Sequence, residues 1–170
     1  DLGDECRVMA GGSALMLALR QRMLTPTHII SLARIDALRG INFDPVKGLR
    51  IGALSRHCDV AASPAVQQHY PMLAGMAARL ANPQVRNQGT IGGNLCYGDP
   101  ATDPPGCLMA LDAQVVLASA RGERVRQHCR RLARGGRSPQ GAAGCERARG
   151  WRAGAERRAL CRRIGCSAGS

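Results

Sequence analysis

Aromatic residues are nearly missing from this 170-residue chain, which has one Phe, two Tyr and one Trp. A reader of single-stranded nucleic acid needs more stacking rings than that, and Trp151 is the only one in the Arg-rich C-terminal stretch. No apolar run is long enough to span a bilayer and no signal-peptide pattern opens the chain, so membrane insertion is not expected. None of the eight cysteines forms a CxxC pair, which removes the usual spacing of zinc and iron–sulfur sites. Thiols in a chain without a secretory signal point to a reducing compartment, here the cytoplasm. Neither GxGxxG nor the phosphate-loop pattern GxxxxGK(S/T) occurs.

Positive charge is plentiful, but it is unevenly placed. The formal net charge is +12. Residues 1–124 hold 12 Lys+Arg against 10 Asp+Glu, whereas residues 125–170 hold 12 Arg against only Glu146 and Glu156. The basic character belongs to the C-terminal stretch alone. That stretch has neither strand nor helix periodicity, no Lys, and four cysteines at 129, 145, 161 and 166, unlike ordinary disordered tails. Arg, Gly and Ala share GC-rich codons, so residues 126–170 read as coding sequence translated out of frame. One nucleotide on, the degenerate codons of Arg126-Gln127-His128-Cys129-Arg130 permit Val-Ser-Ile-Ala-Asp, a strand-like run. The chain begins at Asp1 rather than Met, and is expected to be a fragment or a processed product.

The remainder carries ordered punctuation. "CRVMAGG" predicts a strand ending in a Gly-Gly turn, and Ser13 is placed to cap the helix "SALMLALRQRML", which Pro26 stops. "THIISLA" has the β-branched density of a buried strand, so residues 6–33 form a βαβ unit with its glycines at the helix entrance. "LRIGAL" predicts a strand over 49–54, with Ser55 capping a short helix to Ala62 and Ser63-Pro64 opening another. Residues 71–81 have a helical period that Asn82-Pro83 ends. The stretch 90–105 reads as a loop, followed by helix "GCLMAL" and strand "DAQVVLAS". "ARGER" then predicts a hairpin turn into a strand that the sequence does not go on to write.

Two glycine pairs stand out, Gly11-Gly12 and Gly92-Gly93. Glycine lets a ligand approach the main chain, and successive N–H groups in such a turn form an anion-binding concavity, strengthened where a helix begins. Two such turns facing each other would grip both phosphates of a dinucleotide; each alone is equally a plain turn. In the second loop Thr90 offers a hydroxyl, Asn94 an amide, and Asp99 and Asp103 carboxylates suited to ribityl or ribose hydroxyls. Asp99 reads as a turn former, while Asp103 reads equally as a ligand or as the cap before Pro104. The loop has no His, so a His-based general base is absent from it.

These residues also carry a resemblance. "VMAGGSALMLALRQRMLTPTHIISL", "LRIGAL", "QVRNQGTIGGNLCYGDPATDPPGCLMALDAQVVL" and the turn "RGER" resemble, in order over 6–125, the FAD-binding medium subunits of molybdenum hydroxylases, the family of xanthine and carbon monoxide dehydrogenases. The motif (T/S)-(I/V)-GGN with an Asp nine positions after the Asn is the specific part. The resemblance implies an α+β (mixed α/β) fold of the PCMH/vanillyl-alcohol-oxidase type, present in part. Residues 1–45 would be a small βαβ subdomain, 46–125 the start of a larger subdomain built on an antiparallel sheet, and 126–170 a disordered Arg-rich tail.

It further implies FAD as cofactor. Ala10, Gly11, Gly12, Ser13, Ala14 and Leu15 would wrap its pyrophosphate, Thr90, Ile91, Gly92, Gly93 and Asn94 would close from the other side, and Asp103 would contact the polyol. Many relatives have Ser or Asp where Ala14 stands, so one side-chain contact is gone. The implied role is that of an oxidoreductase subunit. Its flavin takes electrons from 2Fe–2S clusters on a small subunit, after oxidation of the substrate at a molybdopterin centre on a large subunit, and passes them to NAD or another acceptor. No catalytic residue and no metal ligand is assigned here, because the cofactor carries the redox chemistry. Two other readings stand beside it: a plain α/β fragment whose glycine turns only turn, and a nucleic-acid-binding module acting through the Arg-rich tail.

Overall fold

A computed structural model describes residues 5–99, 101–119 and 122–127. The first unit is the predicted βαβ. Strand β1 (Cys6–Met9) leads through the Gly11-Gly12 turn into helix α1 (Ser13–Arg20), and strand β2 (His28–Ser31) returns parallel to β1 with Cys6 opposite His28 and Met9 opposite Ser31. Parallel pairing requires a crossover of this kind. The expected burial of β2 does not hold, since every residue of it is exposed, with Ile29 at 45% and Ile30 at 49%. Among the described residues β2 pairs with β1 alone.

A second, antiparallel pair follows, β3 (Ile41–Asp44) with β4 (Gly48–Ile51), and the sequence reading missed its first strand. Its turn is closed by Asp44, whose Oδ1 accepts the N–H groups of Val46 and Lys47 at 2.9 and 2.8 Å. These two bonds hold the Asp44 carboxyl below the usual carboxylate range.

Helices α2 (His57–Ala62), α3 (Pro64–His69) and α4 (Pro71–Arg79) come next, and the prolines at the first positions of α3 and α4 fit sites where no N–H is needed. The core lies between them and the β3–β4 pair: Leu49, Val60, Val66 and Leu73 are at most 1% exposed. Arg56, not Ser55, stands at the N-cap of α2, and Asp59 accepts from the Arg56 backbone N–H as well as its guanidinium. That guanidinium keeps the Asp59 carboxyl below its usual range. Ser55 instead donates its hydroxyl proton to the Gly40 carbonyl.

Asn82-Pro83 ends one helix and starts another, α5 (Pro83–Gln88), with Asn82 Oδ1 accepting from Val85 N–H at 2.9 Å. The stretch expected as a loop from residue 90 is largely helical: α6 (Ile91–Tyr97) and α7 (Asp103–Ala110) flank a short turn. Glycine is a poor helix former, which hid α6 from a reading by propensity. Strands β5 (Gln114–Ser119) and β6 (Gly122–Gln127) then pair antiparallel, Val116 opposite Val125. The strand that the sequence reading held to be unwritten is therefore present, and begins inside the predicted turn. The unusual stretch from residue 128 onward lies outside the described residues. The fold is mixed α and β, as expected, and among the described residues its antiparallel strands form two separate pairs.

Candidate cofactor cleft between the glycine loops

The two glycine loops meet. Gly11 lies against the backbone of Gln88 and Gly89: a Cβ built on it would come 2.7 Å from the Gln88 carbonyl carbon and 3.2 Å from Gly89 Cα, and would overlap the Gln88 oxygen. Beside it, a Cβ on Gly93 would stand 3.6 Å from the Ala10 methyl and 2.8 Å from Thr90 Oγ1. Only glycine fits either place, and in both the reason is close approach.

The first loop is arranged as a donor site. Gly12, rather than the expected Ser13, is the N-cap of α1, in the left-handed region at φ +85°, and no side chain caps the helix. Left-handed backbone is cheap for glycine and costly for other residues. Because Gly12 supplies no cap, the N–H groups of Gly11, Gly12, Ser13, Ala14 and Leu15 make no hydrogen bond among the described residues. Five main-chain donors at the positive end of a helix are a ready anion site.

The second loop is built differently. Gly93 N–H donates to Thr90 Oγ1 at 3.1 Å, Asn94 N–H to the Thr90 carbonyl at 3.0 Å, Ile91 N–H to Ser55 O and Gly92 N–H to Ala53 O, both at 3.0 Å. The expectation of two facing donor turns is thus corrected, because these four N–H groups are consumed inside the protein. Gly92 is needed for packing, since a Cβ there would sit 2.6 Å from the Ala53 methyl. Thr90 is 5% exposed and pairs antiparallel with Arg56, which ties α6 to the segment leading into α2.

The polar side chains divide by role. Asp99 Oδ1 accepts Ala101 N–H at 2.9 Å, the turn-forming role expected of it. Thr102 donates its hydroxyl to Asn94 Oδ1 at 3.3 Å or to the Asp99 carbonyl at 2.9 Å, so the start of α7 is drawn to Asn94. Asp103, the first residue of α7 rather than its cap, is exposed and makes no side-chain hydrogen bond among the described residues. Its carboxylate is free to accept.

Two residues of this cleft went unread in the sequence. Gly89 forms the wall under Gly11, and its signal was the "GT" preceding "IGG". His57, 2% exposed, packs its ring where a Gly89 side chain would stand, 3.0 Å from Cδ2 and 3.3 Å from Nε2. Burial pushes its imidazole below the usual histidine range, and its Nδ1 has no partner among the described residues. An unpaired buried nitrogen costs about 1–3 kcal/mol.

Residues 2–134 match the family described as FAD binding domain in molybdopterin dehydrogenase. The chain belongs to that family. It is 40% identical over 124 residues to the 6-hydroxypseudooxynicotine dehydrogenase complex subunit alpha of Paenarthrobacter nicotinovorans, covering 73% of this chain and 42% of that one. It is equally similar to the carbon monoxide dehydrogenase medium chain of Hydrogenophaga pseudoflava, at 40% over 124 residues, 73% of this chain and 43% of that one. The solved carbon monoxide dehydrogenase of Hydrogenophaga pseudoflava superposes with a TM-score of 0.70 over 73% of this chain and 43% of that chain. Quinoline 2-oxidoreductase of Pseudomonas putida 86 gives 0.70 at 30% identity, over 74% of this chain and 44% of that chain. The chain spans less than half the length of these relatives. Within this FAD-binding family, the free donors of the first loop suit a pyrophosphate, and the glycines at 11 and 93 let the two loops approach closely beside those donors. Among the described residues no helix is long and apolar enough to cross a membrane.

Proposed function

We propose that this chain holds FAD for an electron-transferring subunit of a molybdenum hydroxylase, an oxidoreductase that works in the cytoplasm with a molybdopterin-containing large subunit and a 2Fe–2S small subunit. The reading rests chiefly on one observation, the seating of Gly11 on the Gln88–Gly89 backbone with five N–H donors, from Gly11 to Leu15, that make no hydrogen bond among the described residues.

In this reading residues 1–45 and 46–125 are the two subdomains that flank the cofactor. Gly11 to Leu15 donate main-chain N–H groups to the pyrophosphate, and Ala10 gives way to the backbone of the second loop. Thr90, Ile91, Gly92 and Gly93 form a stiff wall that excludes water from that side. Asn94, with its carbonyl oxygen engaged by Thr102, keeps its amide N–H₂ to donate, and Asp103 accepts from polyol hydroxyls. Bound there, FAD supplies the electron relay from iron–sulfur clusters of a partner to NAD or another acceptor. The protein's part is to bind, orient and shield.

The test is a titration of the full chain with FAD, followed by NADH or a reduced 2Fe–2S partner subunit under anaerobic conditions. Uptake of one FAD per chain, then bleaching of its visible band by either donor, is the expected result. Bound FAD that neither donor reduces would overturn the electron-transfer role while leaving the binding site intact.

A further inference from the structure

His57 plays no part in the proposed chemistry, yet it is the most enclosed titratable side chain near the cleft. It holds Gly89 twice. Its backbone N–H donates to the Gly89 carbonyl at 3.1 Å, and its ring occupies the space where a Gly89 Cβ would lie. Gly89 in turn is one of the two residues on which Gly11 rests. A single residue of backbone therefore separates the imidazole from the donor loop.

The base on which the ring sits is rigid. Helix α2 is fixed at its start by the double engagement of Asp59 with Arg56 and at its centre by Val60, which is fully buried. Displacing the ring shifts Gly89, and Gly11 has no slack with which to absorb the shift. Close-packed interiors transmit such displacements rather than damping them.

We propose that His57 is a positioning residue for the dinucleotide cleft: its neutral imidazole seats Gly89, and through Gly89 it sets where the N–H donors from Gly11 onward come to rest. The inference rests on the FAD reading for the identity of the ligand, but the mechanical link does not. Burial disfavours a charge on the ring, and among the described residues no hydrogen bond joins it to an acid. On its own helix Arg56 and Asp59 pair with each other, and Cys58 donates its thiol to Asp59. From α5, Arg86 donates to the Leu80 and Ala81 carbonyls; from α4, Arg79 donates to the Gly75 carbonyl; from α3, His69 stacks on Phe43. A proton on His57 would have no counter-charge, and would drive the ring toward water and away from Gly89.

The experiment compares His57→Ala, His57→Phe and Val66→Ala in the full chain, by FAD affinity and by the ¹⁵N–H signals of Gly11, Gly12 and Gly89 in flavin-free protein. Val66→Ala removes buried volume from α3, outside α2 and the glycine loops, and controls for lost stability. His57→Ala is expected to weaken FAD about tenfold or more, a penalty typical of misplaced binding groups, and to move the Gly11 and Gly12 signals. His57→Phe, which refills the seat, restores both, and Val66→Ala changes neither. Affinity that falls with stability alike in His57→Ala and Val66→Ala, or a Gly11 signal indifferent to His57→Ala, would overturn the inference. Should His57→Ala fail to fold, acid titration of the native chain decides: the Gly11 amide must follow the His57 imidazole with the same midpoint, and independent titration overturns the link. A chain that takes up no FAD would sink the cofactor reading, while the amide signals would still decide the role of His57.

Discussion

Gly11 rests on Gly89 so closely that a single methyl group on Gly11 would reach within 3.2 Å of Gly89 Cα and overlap the neighbouring Gln88 carbonyl oxygen. The obstacle is backbone on both sides, so no side-chain rotation relieves it. Gly11→Ala is therefore expected to part the two loops at a cost of about 1–3 kcal/mol, and to abolish FAD uptake. Gly106→Ala is the control. It lies inside α7 with nothing within 4 Å of a new Cβ, and should raise stability by about 0.5–1 kcal/mol. Denaturant melts of the two variants check both signs.

Thr90 holds the second loop by accepting the Gly93 N–H. Thr90→Ala should lower stability by about 1 kcal/mol, the usual loss for a helix cap, whereas Thr90→Ser should keep nearly all of it. Equal melts for Ala and Ser would mean that the cap contributes nothing.

The two carboxylates of the 90–105 stretch separate cleanly. Asp99 closes a turn and Asp103 stands unpaired. Asp99→Ala is expected to lower the melting temperature, while Asp103→Ala should leave it unchanged and weaken FAD binding about fivefold to twentyfold, as loss of a hydrogen bond to a polar ligand does. Isothermal titration beside calorimetric melting distinguishes the pair.

Acid should loosen the domain through His57. Burial pushes its folded-state pKa below the unfolded value of about 6.5, so the folded protein binds the proton less readily. The stability it contributes is fully present above that unfolded value and is lost as pH falls through the depressed folded one. His57→Phe has no such proton to take up, and its unfolding midpoint should vary less over that window. An identical acid limb in both proteins would show that the loss comes from elsewhere.

Much of this was legible in the sequence because it depends on local chemistry. The βαβ unit, the short Pro-led helices and the two glycine pairs follow from turn residues and periodicity, and the spacing from Asn94 to Asp103 marked the family. What escaped depends on contacts distant in the chain. Gly92 fits beneath Ala53 and Gly89 beneath Gly11, and neither pairing leaves a mark in a local window. Helix α6 was hidden by glycines retained for packing against propensity. The N–H groups of the second loop looked available until Ser55 and Ala53 were found to take two of them. Strand β6 was missed because its residues Gly122 to Arg124 were assigned to a turn.

The central claim is that the facing glycine loops form a flavin cleft, and equilibrium titration with FAD of the full chain beside its Gly93→Val variant tests it most directly. Valine at 93 would press on Thr90 Oγ1, 2.8 Å from its Cβ, and toward the Ala10 methyl, 3.6 Å away. The account predicts one FAD bound per native chain, none by Gly93→Val, and unchanged binding by Arg149→Ala in the Arg-rich stretch. Retention of FAD by Gly93→Val with native affinity, or no uptake by the native chain, would contradict it.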